Sequence, residues 1–417
     1  MNNMKKILIS LIAAALCSSV WGQSSFYGPW SGSLEIGPTS LSVVLNFIEG
    51  ADGAAECTLD SPDQGAFGIK GRVDNINDFS VKISFPTIMA EYSGMLFRGE
   101  LKGTFRQNGL ELPLNLKMGV SKPSRPQTPQ PPFPYDVREV SFSNVEAGAT
   151  LSGTLTVPQG AGSGITAVIL VSGSGQQNRD EEIFEHRPFL VLADYLTRRG
   201  IAVLRYDDRG TGESKGGELL NATTVDFRKD AEAGIEFLRK DGRFGRIGVL
   251  GHSEGASIAF MLGAAGKVDF VISLAGTGVK GDEALTAQYN RVCELSGVNE
   301  KLDVFEYRQQ VKAQKSAWLS WFIDYDPTDD IRNTVCPVLA LNGDRDVQLI
   351  SGLNLTAIRE KLPANPLNMV KEYPSLNHMF QHCENGMPVE YRKIEETMSP
   401  EVLEDIANWV NATGSRP

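Results

Sequence analysis

The hydrophobic positions of this 417-residue chain follow two different periods along its length, which predicts two different kinds of domain. From Phe26 to about Val120, apolar and polar residues alternate in short runs such as 41–45 and 81–85, and Gly and Asp or Asn turns separate the runs. A period of two is typical of strands that bury one face. This part of the chain is therefore predicted to form a small antiparallel β-domain, either a sandwich or a barrel.

A proline-rich stretch at residues 122–134 follows the alternating region. Closely spaced prolines hold the backbone extended and remove amide donors, so such a stretch is typical of a stiff spacer. We therefore expect a domain boundary here, with the β-domain at 23–121 and a second domain at 135–417.

After the spacer, continuous apolar runs alternate with segments of helical periodicity. This pattern predicts a mostly parallel sheet whose strands are buried on both faces by helices, an α/β architecture. The predicted strands are 166–171, 201–206, 246–250, 269–274, 337–342 and 368–373.

One connection in this domain is too long to be a simple crossover between neighbouring strands. Residues 276–332 are helical in pattern, and we expect them to form a cap over the active site. The aromatic residues Trp318, Trp321 and Phe322 are candidates for lining a substrate pocket in this cap. Alternatively, they pack the cap onto the sheet domain, as large aromatic side chains commonly do.

The sequence Gly-His-Ser-Glu-Gly at 251–255 lies between a predicted strand and a helical run. A serine in this context sits on a sharp strand-to-helix turn, which only glycine tolerates at the two flanking positions. The motif predicts Ser253 as a nucleophile, with the N–H of Glu254 directed at a developing oxyanion. The carboxylate of Glu254 is expected either to pair with a base near residues 178–180 or to be solvated at the start of the helix.

A nucleophilic serine needs a histidine base and an acid, and both types of residue follow Ser253 at the ends of predicted strands. The acid is Asp344 or Asp346, because both come directly after the strand at 337–342. His378 is the favoured base over His382, because it lies in the loop right after the last predicted strand. His186 precedes the nucleophile, and His252 is expected to point away from Ser253.

Several segments, taken in this order, resemble bacterial α/β-hydrolases of the EstD-like esterase group, which is related to the serine aminopeptidase and acyl-thioesterase branches. The resemblance implies an α/β-hydrolase fold and a Ser-His-Asp triad of Ser253, His378 and Asp346, since the family's acid motif carries its carboxylate at the last position. It also implies that one amide of the Ser174-Gly175 loop completes the oxyanion hole with Glu254. The matching segments are 171–175, 206–214, 251–255, 341–346 and 376–378.

These residues predict a serine carboxylesterase that cleaves small to medium acyl esters through an acyl-enzyme. Other functions stay open: a peptidase of the prolyl or aminopeptidase type, a thioesterase or acyltransferase, or a binding protein on the same scaffold. A peptidase that takes a free amine would need an acidic anchor. The cap offers the candidates Asp324, Asp326, Asp329 and Asp330.

The first 22 residues have the pattern of a secretory signal, with Lys5 and Lys6 before an apolar core and Gly22 at the end. They predict export to the periplasm or the medium. The apolar run is too short for a stable membrane span, and Leu16 before Cys17 is a poor fit for a lipid anchor. The formal net charge of −11, more negative still once the two lysines are removed, argues against nucleic acid as a partner.

Cofactors and disulfides are not expected to contribute to the chemistry. The four histidines are too scattered for a metal cluster, and no organic cofactor is implied. Four cysteines follow the signal, and their spacing favours buried thiols over a disulfide framework. The predicted partner is a small-molecule ester, and the oligomeric state stays open.

Overall fold

The computed structural model describes residues 26–36, 39–50, 53–64, 66–119 and 124–414. The predicted signal segment, 1–22, lies outside the described residues. The chain divides into two compact units, with the division between Lys122 and Pro123.

Within the described residues, the first unit is a closed barrel of eight antiparallel strands in which each strand pairs with the next and the last pairs with the first. This confirms the predicted antiparallel β-domain and selects the barrel over the sandwich. The strands are β1 Gly28–Ile36, β2 Thr39–Glu49, β3 Ala55–Ser61, β4 Ala66–Asn77, β5 Ser80–Phe85, β6 Ala90–Phe97, β7 Glu100–Gln107 and β8 Leu110–Met118.

Large side chains fill the interior of the barrel. Trp30, Phe85 and Tyr92 are fully buried there. Gly94 and Gly103 make room for one of them, because a Cβ at either position would lie 2.6 or 2.5 Å from the Tyr92 hydroxyl oxygen. Alternating apolar positions therefore point into one packed core, as the period of two requires.

The second unit is built on a sheet of nine strands among the described residues, in the order β13-β10-β12-β11-β14-β15-β16-β17, with β9 paired to β10. From β12 to β17 the neighbours run parallel, and β9 and β10 are antiparallel additions at one side. The bounds are β9 Tyr135–Asn144, β10 Ala149–Pro158, β11 Ile165–Val171, β12 Ala202–Tyr206, β13 Lys215–Gly216, β14 Phe244–His252, β15 Phe270–Leu274, β16 Val338–Gly343 and β17 Met369–Tyr373.

Helices cover both faces of this sheet. One apolar cluster joins the strands to α2, α3 and α8, and a second cluster joins them to α1 and α9. This is the predicted mostly parallel sheet with helices on each side. The α-helices of the described residues are α1 Pro188–Thr197, α2 Thr224–Asp241, α3 Glu254–Ala264, α4 Gly281–Leu295, α5 Val304–Ala313, α6 Ala317–Phe322, α7 Thr328–Asn333, α8 Ser351–Lys361 and α9 Pro400–Gly414.

The long connection between β15 and β16 consists of the four helices α4 to α7. Its ends are tied to each other, because the N–H of Gly281 donates to the carbonyl of Tyr325 at 2.9 Å. Arg308 of α5 joins the same layer through the carboxylate of Asp282 at 2.7 Å. The segment is therefore a helical substructure with its own internal contacts.

The proline-rich stretch differs from the extended spacer that its composition predicts, because its first part lies on the second unit. The guanidinium of Arg125 donates to the carbonyls of Phe184, Arg392 and Ile394 at 2.8 to 3.2 Å. The side-chain amide of Gln127 donates to the carbonyl of Met398 at 2.7 Å and accepts its N–H at 3.1 Å. Side-chain bonds to distant loops cannot be read from proline content, which constrains only the local backbone.

Candidate active site

Ser253 occupies the turn between β14 and α3 with φ 55° and ψ −116°, a conformation that a residue with a side chain rarely adopts. Its N–H donates to the carbonyl of Leu274 at 2.9 Å. A Cβ on Gly251 would overlap the carbonyl of Gly255, and a Cβ on Gly255 would overlap the carbonyl of Val171. The two glycines are therefore needed for the close approach of strand, turn and helix.

His378 and Asp346 form a buried pair on the loops that follow β17 and β16. The Nδ1 atom of His378 lies 2.8 Å from Oδ2 of Asp346, and both residues are about 3% exposed. The other carboxylate oxygen of Asp346 accepts the N–H groups of Gln348 and Leu349 at 2.8 and 2.9 Å. These bonds hold the carboxylate in one orientation, so it presents a fixed acceptor to the imidazole.

The other candidates for acid and base have separate partners. Asp344 accepts the N–H of Ser375 at 2.6 Å and so stabilises the turn that leads to His378. His382 contacts the carboxylate of Glu396 at 2.8 Å, and its side chain is 62% exposed. His186 is buried between the Thr397 hydroxyl and the carbonyl of Tyr391.

The loop after β11 lies against the nucleophile, because a Cβ at Gly173 would be 3.3 Å from Cβ of Ser253. The N–H of Gly173 donates to Oε1 of Glu181 at 2.7 Å, so it is already engaged. The next amides, of Ser174 and Gly175, are the predicted oxyanion donors of this loop. Glu254 opens α3, and the first N–H groups of a helix have no intrahelical acceptor.

The Glu254 carboxylate corrects both expectations made for it. It is 5% exposed rather than solvated, and its Oε1 accepts the Thr224 hydroxyl at 2.6 Å and the Trp318 indole N–H at 2.7 Å. Arg179 pairs instead with the Asp207 carboxylate at 2.7 Å. Burial raises the pKa of Glu254, and the two hydrogen bonds only partly offset that effect. Both partners come from elements far away in sequence, so no local pattern marks them.

The three cap aromatics have different surroundings. Trp318 stacks on Phe322 with ring centroids 5.2 Å apart, and its indole N–H reaches the helix that begins after Ser253. Phe322 is buried, and Trp321 stacks on Tyr325 at 5.0 Å. Of the three, Trp318 has a direct hydrogen bond to the nucleophile helix.

The acidic residues of the cap have partners within the cap. Asp324 pairs with Arg308 at 2.5 Å, Asp326 accepts the N–H of Thr328 at 2.9 Å, and Asp330 accepts the Tyr325 hydroxyl at 2.9 Å. Asp329 is an exposed residue in the first turn of α7. Such bonds are typical of turns and helix starts.

His252 and Glu181 were not recognised as parts of the site from the sequence. His252 is buried, with Nδ1 2.9 Å from Oε1 of Glu181 and Nε2 3.0 Å from the carbonyl oxygen of His378. Its ring lies with its centroid 4.7 Å from that of His378. Glu181 is 71 positions away along the chain, so only the fold brings the two together.

Other features of the described residues bear on cofactors and membranes. No group of three or more His, Cys, Asp and Glu side chains there is arranged to hold a metal ion. Cys57, Cys293, Cys336 and Cys383 are free thiols. Over the same residues, no helix is long and apolar enough to cross a membrane.

The sequence has identifiable relatives. A family model described as serine aminopeptidase, S33, matches residues 186–315, which include Ser253 and end before Asp346 and His378. Esterase EstD of Thermotoga maritima is 29% identical over 276 residues, which are 62% of this chain and 65% of that protein. The chain thus matches slightly less than two thirds of the length of this curated relative.

Solved structures of esterases are also similar to the chain. Est1E from Butyrivibrio proteoclasticus with ferulic acid bound matches 66% of this chain and 100% of its own, at 17% identity and a TM-score of 0.47. The Pyrococcus furiosus esterase Pf2001 matches 70% of this chain and 98% of its own, at 17% identity and a TM-score of 0.46. The predicted fold is confirmed: the second unit has the α/β-hydrolase fold, and the chain is similar to the EstD esterase and, over residues 186–315, to the serine aminopeptidase S33 family model.

Proposed function

We propose that the chain is an exported serine carboxylesterase that hydrolyses small to medium acyl esters by a Ser253-His378-Asp346 mechanism. One observation carries the proposal: the buried pair of His378 and Asp346, 2.8 Å apart, lies on the loops after β17 and β16, and the carbonyl oxygen of His378 lies 3.0 Å from Nε2 of His252, the residue before Ser253. Carboxyl ends of parallel strands meet at one edge of the sheet, which is where α/β proteins build their sites.

The first half of the reaction forms an acyl-enzyme. The Oγ atom of Ser253 attacks the ester carbonyl carbon while Nε2 of His378 takes the hydroxyl proton, and the carbonyl π electrons move to oxygen. The N–H of Glu254 and one amide of the Ser174-Gly175 loop donate to that oxyanion. Its collapse breaks the bond to the leaving alcohol, which takes the proton from His378.

The second half repeats these steps with water as nucleophile. His378 removes a proton from water and the hydroxide attacks the acyl carbon. The second oxyanion collapses, the bond to Oγ of Ser253 breaks, Oγ takes the proton back from His378, and the carboxylic acid is released. Asp346 stays ionised throughout and holds the imidazole in the tautomer that has its proton on Nδ1. The reaction therefore needs no group besides ester, water and these side chains.

The cap is proposed to select the acyl group. Trp318 is hydrogen-bonded to the first residue of the nucleophile helix and stacks on the buried ring of Phe322. An aromatic ring at this place would favour apolar acyl chains over charged ones. The size of the acyl group would then depend on how α6 lies over Ser253.

Ester hydrolysis is favoured over cleavage of an N-terminal residue. An aminopeptidase needs an unpaired carboxylate for the substrate amine. Of the four cap candidates, Asp324, Asp326 and Asp330 already have partners, and Asp329 is an exposed residue in the first turn of α7. The S33 model match names a peptidase family, and the EstD match names an esterase, so both classes belong in the test. Export through the signal at 1–22 would place the enzyme in the periplasm or the medium.

The decisive experiment is a substrate panel with the purified protein. It compares p-nitrophenyl esters from acetate to decanoate with aminoacyl-p-nitroanilides, and Ser253→Ala serves as the matched inactive control. We expect turnover of esters with short to medium chains and none of the anilides above the control. Anilide turnover that exceeds ester turnover would replace the proposal by a peptidase.

A further inference from the structure

Three loops of the candidate site are joined by one buried pair of side chains, Glu181 and His252. The carboxylate oxygen Oε1 of Glu181 accepts the N–H of Gly173 at 2.7 Å and lies 2.9 Å from Nδ1 of His252. The opposite ring nitrogen, Nε2 of His252, lies 3.0 Å from the carbonyl oxygen of His378. The pair thus connects the oxyanion loop, the nucleophile turn and the loop of the catalytic base.

The partners of His252 decide how many protons the pair holds. A peptide carbonyl can only accept, so Nε2 must carry a proton. An ionised Glu181 can also only accept, so Nδ1 must carry one as well, and His252 is then an imidazolium. If Glu181 is instead protonated, the same proton lies on the carboxyl group. In both cases the pair contains one proton more than an ionised carboxylate beside a neutral imidazole ring.

The surroundings keep water away from this proton. Apolar side chains of Pro188, Phe189, Leu274 and Met398 line the same small void as the pair. The charged groups that face His252 are Glu181 and Asp346, the ring of His378 is its titratable neighbour, and the charge of Glu181 also contributes to the raised pKa of the buried Asp208. Burial by itself lowers the pKa of His252, but the charge and hydrogen bond of Glu181 outweigh it, so the pKa is raised above its usual value.

We propose that Glu181 and His252 are positioning residues of the esterase: their shared proton holds the oxyanion loop at Gly173 and the backbone of His378 in the catalytic arrangement. This inference rests on the proposed function. Neither residue touches the substrate, and each acts through a group that does. The pair is a built-in pH sensor, because loss of its proton leaves one of the two links without a donor.

The direction of the pH effect follows from the raised pKa. Below the pKa of the pair, both nitrogens of His252 donate and all three loops are linked. As the pH rises through that pKa, one hydrogen bond is lost and the loops separate. Activity should therefore show an alkaline limb governed by the pair.

The first test measures the proton directly and does not depend on activity. The full chain is labelled with ¹⁵N-histidine, and the ring nitrogens are followed by NMR from pH 5 to 10, with His252 assigned from single variants of the three other histidines. We expect both nitrogens of His252 to carry protons at pH 7. A ring with one protonated nitrogen at pH 6, together with an ionised Glu181 carboxylate in ¹³C NMR of the same protein, would overturn the proposal without any variant at this site.

The matched variants are Glu181→Gln and Glu182→Gln. The first keeps an oxygen that can accept from Gly173 and His252 but removes the charge. The second makes the same change one residue away, where the carboxylate pairs with Arg187 at 3.0 Å and is half-buried. We expect E181Q to lower the pKa of His252 by about one unit or more, the usual effect of losing an adjacent charge, and E182Q to leave it unchanged.

The second test is the pH profile of p-nitrophenyl acetate hydrolysis. In E181Q the alkaline limb of kcat should move to lower pH by the same amount as the NMR pKa, with KM changed less than kcat. An unmoved limb, or an equal shift in E182Q, contradicts the positioning role. If the wild type cleaves no ester, the proposed function fails, while the NMR titration still decides whether the pair holds the proton.

Discussion

The indole N–H of Trp318 donates to the carboxylate of Glu254 at 2.7 Å, and this bond joins a cap helix to the first residue after Ser253. The same carboxylate oxygen accepts the hydroxyl of Thr224 from α2 at 2.6 Å. Three elements therefore meet at one buried oxygen of the residue that follows the proposed nucleophile. We expect this oxygen to hold α6 against the start of α3.

Replacement of Glu254 should separate the role of its oxygen from the role of its charge. Glu254→Ala leaves two buried donors unpaired and should cost about 1–3 kcal/mol of unfolding free energy for each. Glu254→Gln keeps the acceptor. Because burial raises the pKa of Glu254, its ionised form is disfavoured in the folded state, and stability falls as the pH rises towards that pKa.

The measurement is thermal or denaturant unfolding of the two variants and the wild type between pH 4 and 8. Gln carries no proton to lose, so E254Q should equal or exceed the wild type at pH 7, while E254A should be less stable at every pH. The ester panel should show a changed chain-length preference in E254A. An E254A protein with wild-type stability and preference would mean that the bond to Trp318 does not hold the cap.

Ser253→Ala should abolish ester hydrolysis without loss of the fold. The attacking oxygen is removed, while the strained backbone of the turn is kept by Gly251 and Gly255. A fluorophosphonate probe should label the wild type at Ser253 and should not label the variant. Labelling at another serine, or turnover by S253A, would move the nucleophile elsewhere.

Asp346→Asn should lower kcat by about four orders of magnitude, and Asp344→Asn should lower it far less. An amide at 346 can donate to Nδ1 of His378 and so stabilises the wrong tautomer of the imidazole. Asp344 accepts only the N–H of Ser375, so its loss should affect the turn and little else. The check is steady-state kinetics of both variants on the best ester, with equal losses counting against Asp346 as the acid.

His378→Ala should have almost no activity, whereas His382→Ala should keep most of it. His378 is buried beside Asp346, while the His382 side chain is 62% exposed and contacts Glu396 at the surface. Kinetic constants of the two purified variants, with circular dichroism as the folding control, test this directly. Comparable losses in both would show that the loop as a whole, and not His378, carries the function.

The first unit is expected to take no part in the chemistry, so the second unit should hydrolyse p-nitrophenyl acetate by itself. The start of the shortened protein matters, because Arg125 and Gln127 bind the second unit. A protein that begins at Pro123 should be more stable, by about 2 kcal/mol or more, than one that begins at Tyr135.

Both shortened proteins should be compared with the full chain in unfolding and in activity. Arg125→Ala in the full chain is the matched control, since it removes the Arg125 bonds to the second unit without removing the barrel. Folded but inactive protein from Pro123 onwards would show that the first unit helps to form the site.

The sequence by itself determined the architecture, because the signals that carry it are local. Alternation with a period of two predicts the barrel strands, and continuous apolar runs predict β11, β12 and β14 to β17 to within a few residues, whereas β9, β10 and the two-residue β13 were not predicted. The signal for the turn at Ser253 is equally local, since two glycines and a serine between a strand and a helix permit few backbone conformations. Local pattern left Asp344 and Asp346 both open as the acid. The carboxylate that lies 2.8 Å from Nδ1 of His378 belongs to Asp346, the residue that the family resemblance implied.

Only the tertiary structure decided which side chains meet. Glu254 was expected to pair with Arg179 or be solvated, but it bonds Thr224 and Trp318, which are 30 and 64 residues away in sequence. The pairing of Glu181 with His252 and the docking of Arg125 are of the same kind. Such contacts depend on how helices and loops pack against one sheet, and a residue type at one position carries no information about a partner that packing alone brings near.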